Sequence, residues 1–183
     1  MPDAPVHPAI QRVLDAASRK GVTLEVVQFD ESTHTAAEAA AALGVELGQI
    51  VKSLVFVIPA AGSPEPVLCL VAGHNRVDLV RLAAVTSSPD IRRATAREAH
   101  DLTGFSIGGI PPIGTDRVVR VIMDPDLGRY PIVWAAAGLP TAVFGVPPGT
   151  LRILSNATVI PIAEEAMATE DGATVAVGQR AGG

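Results

Sequence analysis

Apolar residues recur at i, i+3, i+4 and i+7 in the first stretch of the chain, where Ile10, Val13, Leu14 and Ala17 share one face between Pro8 and Lys20. With a proline where a helix can begin and Gly21 where it can stop, that spacing predicts an amphipathic helix. The period then shortens to two over Val22–Phe29 (VTLEVVQF), which predicts a strand. Thr35 and Glu38 stand at capping-box spacing ahead of an alanine-rich helix that Gly44 can end. Val51–Ile58 (VKSLVFVI) and Val67–Ala72 (VLCLVA) read as two strands of a hairpin, joined by the turn-rich AAGSPEP. Asp78 can cap a short helix through Ala84, and Thr95 with Glu98 repeats the capping box before a glycine-rich stretch. Three more strands follow at Arg117–Met123, Pro131–Ala137 and Thr141–Val146. Pro147, Pro148 and Gly149 then open a helical turn through Leu154, ahead of an edge strand at Thr158–Ala163. Strands interrupted irregularly by helices do not make a clean βαβ alternation, so the pattern predicts an α+β fold with a mixed, curled sheet.

The length of 183 residues suits one compact domain with a tail, and 48% apolar content with only 3% aromatics requires a core of Val, Leu, Ile and Ala. The domain is expected over residues 1–163. From Glu164 the chain turns to small and acidic residues, so 164–183 is expected to be a mobile tail. One cysteine, Cys69, excludes an intramolecular disulfide, and the opening MPDAPVHPAIQRV lacks the basic and apolar run of a signal peptide. A cytoplasmic location is expected. Tyr130–Leu151 carries no charge over a length that could cross a bilayer, but Pro131, Pro140, Pro147 and Pro148 with three glycines break it into short strands and turns. No membrane association is expected.

Net charge of −5 argues against gripping nucleic acid by bulk electrostatics, and DNA is not an expected partner. The distribution is more informative than the sum. Arg76, Arg81, Arg92, Arg93 and Arg97 fall in one short stretch against Asp78 and Asp90, a cluster that could face an RNA backbone or be an ordinary solvated surface.

His7, His34, His74 and His100 are scattered and a lone cysteine cannot form a thiolate cage, so no metal site is expected. There is no G-x-S-x-G elbow and no phosphate-binding G-x-x-x-x-G-K-[ST], and the glycine-rich stretch follows a helix, unlike a dinucleotide fingerprint. No cofactor is expected. Cys69, between leucines in a strand, reads as a small core residue. Two features remain. TGFSIGGIPPIG packs four glycines and two adjacent prolines into twelve residues, either a turn or a stiff rim of bare N–H groups. Lys52 lies in the apolar run QIVKSLVFVI, either covering apolar surface with its stem or, beside such a rim, completing an anion pocket.

THTAAEAAAALGVELGQIVKSLVF, AGHNRVDLVRLA, TGFSIGGIPPIG and VWAAAGLPTAVFGV stand in the order and approximate spacing of the YbaK family, related to the editing insertion of bacterial prolyl-tRNA synthetase. The chain resembles that family from about Val22 to Leu154, and free-standing members more than a synthetase fragment. The resemblance implies a barrel-like mixed sheet with flanking helices and hydrolysis, in trans, of the ester joining a wrong amino acid to transfer RNA. Carried over, Lys52 matches the lysine that holds the RNA end of the substrate, with Ser53 in the adjacent Ser/Thr position. Gly108, Gly109 and Pro112 match the loop bounding the aminoacyl pocket, Phe29 closes the first strand, and Thr35 begins the helix at the pocket mouth. Backbone N–H groups from Gly108 to Ile110 would polarise the ester carbonyl.

Two departures bear on the substrate. Relatives that clear cysteine carry a serine in a Ser-small-Gly stretch, where this chain has Ala135-Ala136-Ala137-Gly138, which weakens the case for cysteine. Thr141 stands where some relatives have histidine. A small amino acid such as alanine or serine on the proline acceptor, or on a related transfer RNA, is the expected substrate. Two other classes stay in view: a binding module for a nucleotide, small metabolite or partner protein, and an interaction domain docking on prolyl-tRNA synthetase or an elongation factor.

Overall fold

The computed structural model describes residues 6–30 and 35–165, folded into two sheets and five α-helices among those residues. Helix α1 (Pro8–Ser18) buries Ile10, Val13, Ala16 and Ala17. Both predicted capping boxes form. Thr35 Oγ1 accepts from Glu38 N at 3.1 Å to start α2 (Ala36–Leu43), and Thr95 Oγ1 accepts from Glu98 N at 3.2 Å to start α4 (Ala96–Thr103). In each, the glutamate carboxylate accepts the threonine N–H in return, and a left-handed glycine, Gly44 or Gly104, ends the helix.

The hairpin is as expected: β2 (Val51–Ile58) and β3 (Glu65–Ala72) pair antiparallel without a break in register, from Val51 opposite Ala72 to Ile58 opposite Glu65. Asp78 caps α3 (Leu79–Thr86), and the two-residue β4 (Arg92–Arg93) pairs with the far end of β2. β5 (Arg120–Met123) runs parallel to β3, and β8 (Thr158–Val159) parallel to β5, giving the order β4-β2-β3-β5-β8. A second sheet, β1-β7-β6, joins β1 (Val26–Gln28), β7 (Ala142–Val146) and β6 (Val133–Ala136) antiparallel. The mixed sheet is therefore present, but as two sheets linked by one bridge, Ile50 to Trp134. α5 (Pro148–Ser155) leads into β8.

β1, β5 and β8 stop short of the predicted alternation, each for want of a partner. Val22 N–H is taken by the Ala17 carbonyl (3.1 Å) as the chain leaves α1, so β1 starts only where it meets β7. Residues 117–119 lie before the first β3–β5 pair, Val67 with Arg120, and Val118 is fully exposed. After β8, Pro161 has no N–H to give, and the buried carboxylate of Asp124 takes over, accepting Ile162 N and Ala163 N at 2.9 Å each. The chain stays anchored beyond the expected domain end: Glu164 N–H donates to the Arg76 carbonyl (2.9 Å) and Glu165 pairs with Arg81. The rest of the expected tail, 166–183, lies outside the described residues.

Alternation along β2 sorts its side chains between two cores. Val51, Val55 and Val57 enter the main core with Leu68, Leu70, Phe144 and α1, while Phe56 joins Cys69, Val71, Leu82 and Ile122 on the other face. Cys69 is fully buried, and burial pushes its thiol up to about 12, so it is a core residue as its neighbours in sequence suggested. Among the described residues no helix is long and apolar enough to cross a membrane.

Candidate active site

A cavity of about 230 Å³ opens beside the start of β2, next to the Ile50–Trp134 bridge to the smaller sheet. One wall is β2 from Val51 to Val55. Thr35, Ala36 and Ala39 of α2 form a second, Trp134, Ala136 and Val143 of the smaller sheet a third, and Ala94 and Ala99 lie beside Arg93. Ile107, Gly108, Ile110 and Pro140 close the rim. Trp134 can lie flat here because its partner across the strands is Gly145, where a Cβ would come within 3.0 Å of the indole. The indole also packs with Ala39, Ala40 and Ile50, tying α2 to the smaller sheet.

Lys52 and Gly108 thus border one cavity, as the sequence reading required. The Lys52 ammonium donates to the main-chain carbonyl of Asn75, which leaves two of its three N–H groups without an acceptor among the described residues. Burial, followed by the neighbouring charges of Arg76 and Arg93, lowers the Lys52 pKa from the ordinary lysine value. No carboxylate is paired with Lys52, Arg76 or Arg93 among the described residues. Arg93 holds its guanidinium 5.4 Å above the Phe56 ring, and partial burial lowers its pKa. Unneutralised cations held together at a cavity fit an anionic ligand.

The arginine cluster divides. Arg93 stands at the cavity and Arg76 near Lys52, whereas Arg92 makes a two-pronged pair with Glu98 (2.7 and 2.9 Å), Arg81 pairs with Asp78 and Glu165, and exposed Arg97 lies 3.6 Å from Asp101. Glu98, pulled down to about 2 by the Arg92 hydrogen bonds, sits one residue beyond the stretch whose charges make the cluster look uncompensated.

The glycine loop differs from the expected bare rim in an instructive way. Gly108 takes φ +92, in the left-handed region, inside a turn closed by Gly109 N–H to the Ser106 carbonyl at 3.0 Å. Gly109 therefore has no free N–H and does not line the cavity; a Cβ there would lie 2.8 Å from the Leu139 backbone, so its bareness serves packing against the β6–β7 turn. The N–H groups of Gly108 and Ile110 make no hydrogen bond among the described residues.

Four further expected site residues are off the cavity wall. Pro112 is buried and faces a different hollow with Ile113 and Val121. Gly138 is buried with φ +97, where a Cβ would lie 2.6 Å from the Ala9 carbonyl. Phe29 and Thr141 act through the backbone, Phe29 N–H donating to the Thr141 carbonyl at 2.8 Å where β1 joins β7. Thr35, Ser53 and Ile110 do line the cavity, and the Ser53 hydroxyl is buried with no partner among the described residues. Sequence reasoning placed the helix begun by Thr35 at the mouth but did not single out Ala36 and Ala39, and it missed Trp134 and Pro140; the lone tryptophan, paired in register with a glycine, was the available signal.

Residues 30–154 match the model of the aminoacyl-tRNA editing domain family. A solved structure described as a candidate trans-editing enzyme for prolyl tRNA synthetase superposes with a TM-score of 0.80 at 43% identity, covering 88% of this chain and all of that one. A candidate Cys-tRNA(Pro)/Cys-tRNA(Cys) deacylase of Enterococcus faecalis is 27% identical over 67% of this chain and 74% of its own length. The proline–tRNA ligase of Limosilactobacillus fermentum is 32% identical over 51% of this chain, a match that spans 17% of the ligase.

Proposed function

The chain belongs to the aminoacyl-tRNA editing domain family, and from that premise we propose that it is a free-standing hydrolase that removes a mismatched small amino acid from transfer RNA, with the proline acceptor first among its substrates. The observation that carries the reading is that Lys52, Arg93, Gly108 and Ile110 line one small cavity, the last two with N–H groups that make no hydrogen bond among the described residues. An aminoacyl ester is already activated, so a positioned water and a stabilised oxyanion suffice. Water adds to the ester carbonyl carbon, the bond to the ribose oxygen breaks, and that oxygen leaves with a proton, giving free amino acid and uncharged RNA. Gly108 and Ile110 N–H groups hold the developing oxyanion, each donor of this kind supporting about 2.7–4 kcal/mol. Lys52 and Arg93 hold the terminal phosphate or ribose.

Methyl groups from α2, β6 and the segment between β4 and α4 set the room for the amino-acid side chain. Such walls distinguish neighbours by only ~1–3 kcal/mol per methylene, so alanine and serine are both accepted. Ala136 occupies the wall where relatives that clear cysteine carry their serine, and cysteine is the weakest of the three. On this reading the two sheets together make up the family's barrel-like sheet, open at the β2 edge where substrate enters. Activity is expected in the cytoplasm, with prolyl-tRNA synthetase or an elongation factor supplying RNA affinity that a chain of net charge −5 lacks.

Replacing Lys52 with Ala is expected to abolish deacylation of alanyl- and seryl-tRNA(Pro) while leaving circular dichroism and the melting transition in place. Near-normal turnover by that variant would defeat the assignment.

A further inference from the structure

The wall of the cavity made by β2 is an unpaired strand edge, and its polarity can be read from the register. In an antiparallel strand the N–H and C=O of one residue point to the same side, and successive residues point to opposite sides. Ala94 N–H donates to the Val55 carbonyl at 3.0 Å, so Val55 faces the β4 edge. Because β2 pairs with β3 from Val51 to Ile58 without a bulge, parity carries back two residues: both main-chain groups of Ser53 face that same edge, while Lys52 and Leu54 bond to β3. β4 pairs only with Phe56 and Val57, and the bridge to the other sheet is at Ile50. Between them, Ser53 N–H, Ser53 C=O and Val55 N–H have no partner among the described residues, and both residues line the cavity.

The charges of the cavity then decide what this edge receives. Its charged lining residues are Lys52 and Arg93, with no carboxylate among the described residues. A ligand amine placed there meets repulsion from both side chains and must give its hydrogens to a neutral acceptor. We infer that the Ser53 main-chain carbonyl accepts an N–H of the substrate's α-amino group, so that the edge of β2 reads the amine of the aminoacyl ester. The inference rests on the deacylase reading and adds to it a requirement for a hydrogen-bond donor on the α-carbon.

The test compares the full chain acting on alanyl-, lactyl- and propionyl-tRNA(Pro), which carry an amine, a hydroxyl and a hydrogen on the α-carbon, each rate divided by that ester's own hydrolysis in buffer. Lactyl ester should keep most of the acceleration, since its hydroxyl still donates, and propionyl ester should lose roughly tenfold or more. Equal acceleration of all three would overturn the inference and leave the deacylase reading intact. Loss with lactyl as severe as with propionyl would also overturn it, by making amine charge rather than a donated hydrogen bond the requirement. No acceleration of alanyl-, seryl- or cysteinyl-tRNA(Pro) would remove both. Independently of activity, amide exchange should alternate along β2, fast at Ser53 and Val55 and slow at Leu54 and Phe56; uniform protection would mean a paired edge and no such site.

Discussion

Gly109 and Gly108 are adjacent, and the structure uses them for different ends. Gly108 supplies a positive φ in a turn, whereas Gly109 lets the Leu139 backbone come within a distance that any Cβ would obstruct. Gly109→Ala should therefore lower the melting temperature, with a loss of about 1–3 kcal/mol of the kind overpacking produces. Thermal unfolding checks this, and an unchanged transition would show that the loop does not depend on that contact. Lys52 makes a prediction in pH. Its pKa is lowered first by burial and then by Arg76 and Arg93, so the ammonium is lost at a lower pH than for an ordinary lysine. Activity that needs the cation should fall on an alkaline limb below the ordinary lysine range, and Arg93→Gln, which removes one repelling charge, should move that limb upward. Neither effect is legible in the words Lys-Ser or Gly-Gly, because each depends on what another segment places beside them.

Helix α2 shows how a local signal becomes part of a site. Its capping box can be read three residues apart in the chain, and both of its reciprocal hydrogen bonds are present at 3.1 Å. Yet the same helix lays Thr35, Ala36 and Ala39 along the cavity, a role set by Trp134 and Ile50 beneath it. Thr35→Ala should cost about 1 kcal/mol of stability by loss of the cap. It should also raise KM more than it lowers kcat, because the helix forms a wall and supplies no reacting group; steady-state kinetics beside a melting curve separate the two. Both capping boxes, the β2–β3 hairpin and the glycine stops were visible as short-range patterns. The lengths of β1, β5 and β8 were not, since a strand extends only as far as a partner runs beside it.

Across the whole molecule, charge is arranged rather than merely accumulated. Arg92 and Arg93 are neighbours in a two-residue strand, but Arg92 is engaged by Glu98 while Arg93 lies over Phe56 at the cavity with no carboxylate partner among the described residues. Arg93→Glu should weaken binding to every charged or uncharged acceptor RNA alike and flatten the salt dependence, whereas Arg92→Glu should have a smaller effect on both. Titrations at two ionic strengths check this, and equal losses from the two substitutions would return the cluster to a single undivided patch. The sequence by itself determined the helices, the hairpin, the apolar character of Cys69, the mixed α+β class and the family resemblance, because these rest on periodicity and on residues a few positions apart. Only the tertiary structure decided that Arg93, Trp134 and Pro140 join Lys52, the α2 wall and Gly108 at one cavity while Pro112, Gly138, Phe29 and Thr141 do not. It also decided that β2 leaves an edge unpaired there. Whether a group is free or engaged depends on segments far away in the chain, and pairing at that distance leaves no mark in local order.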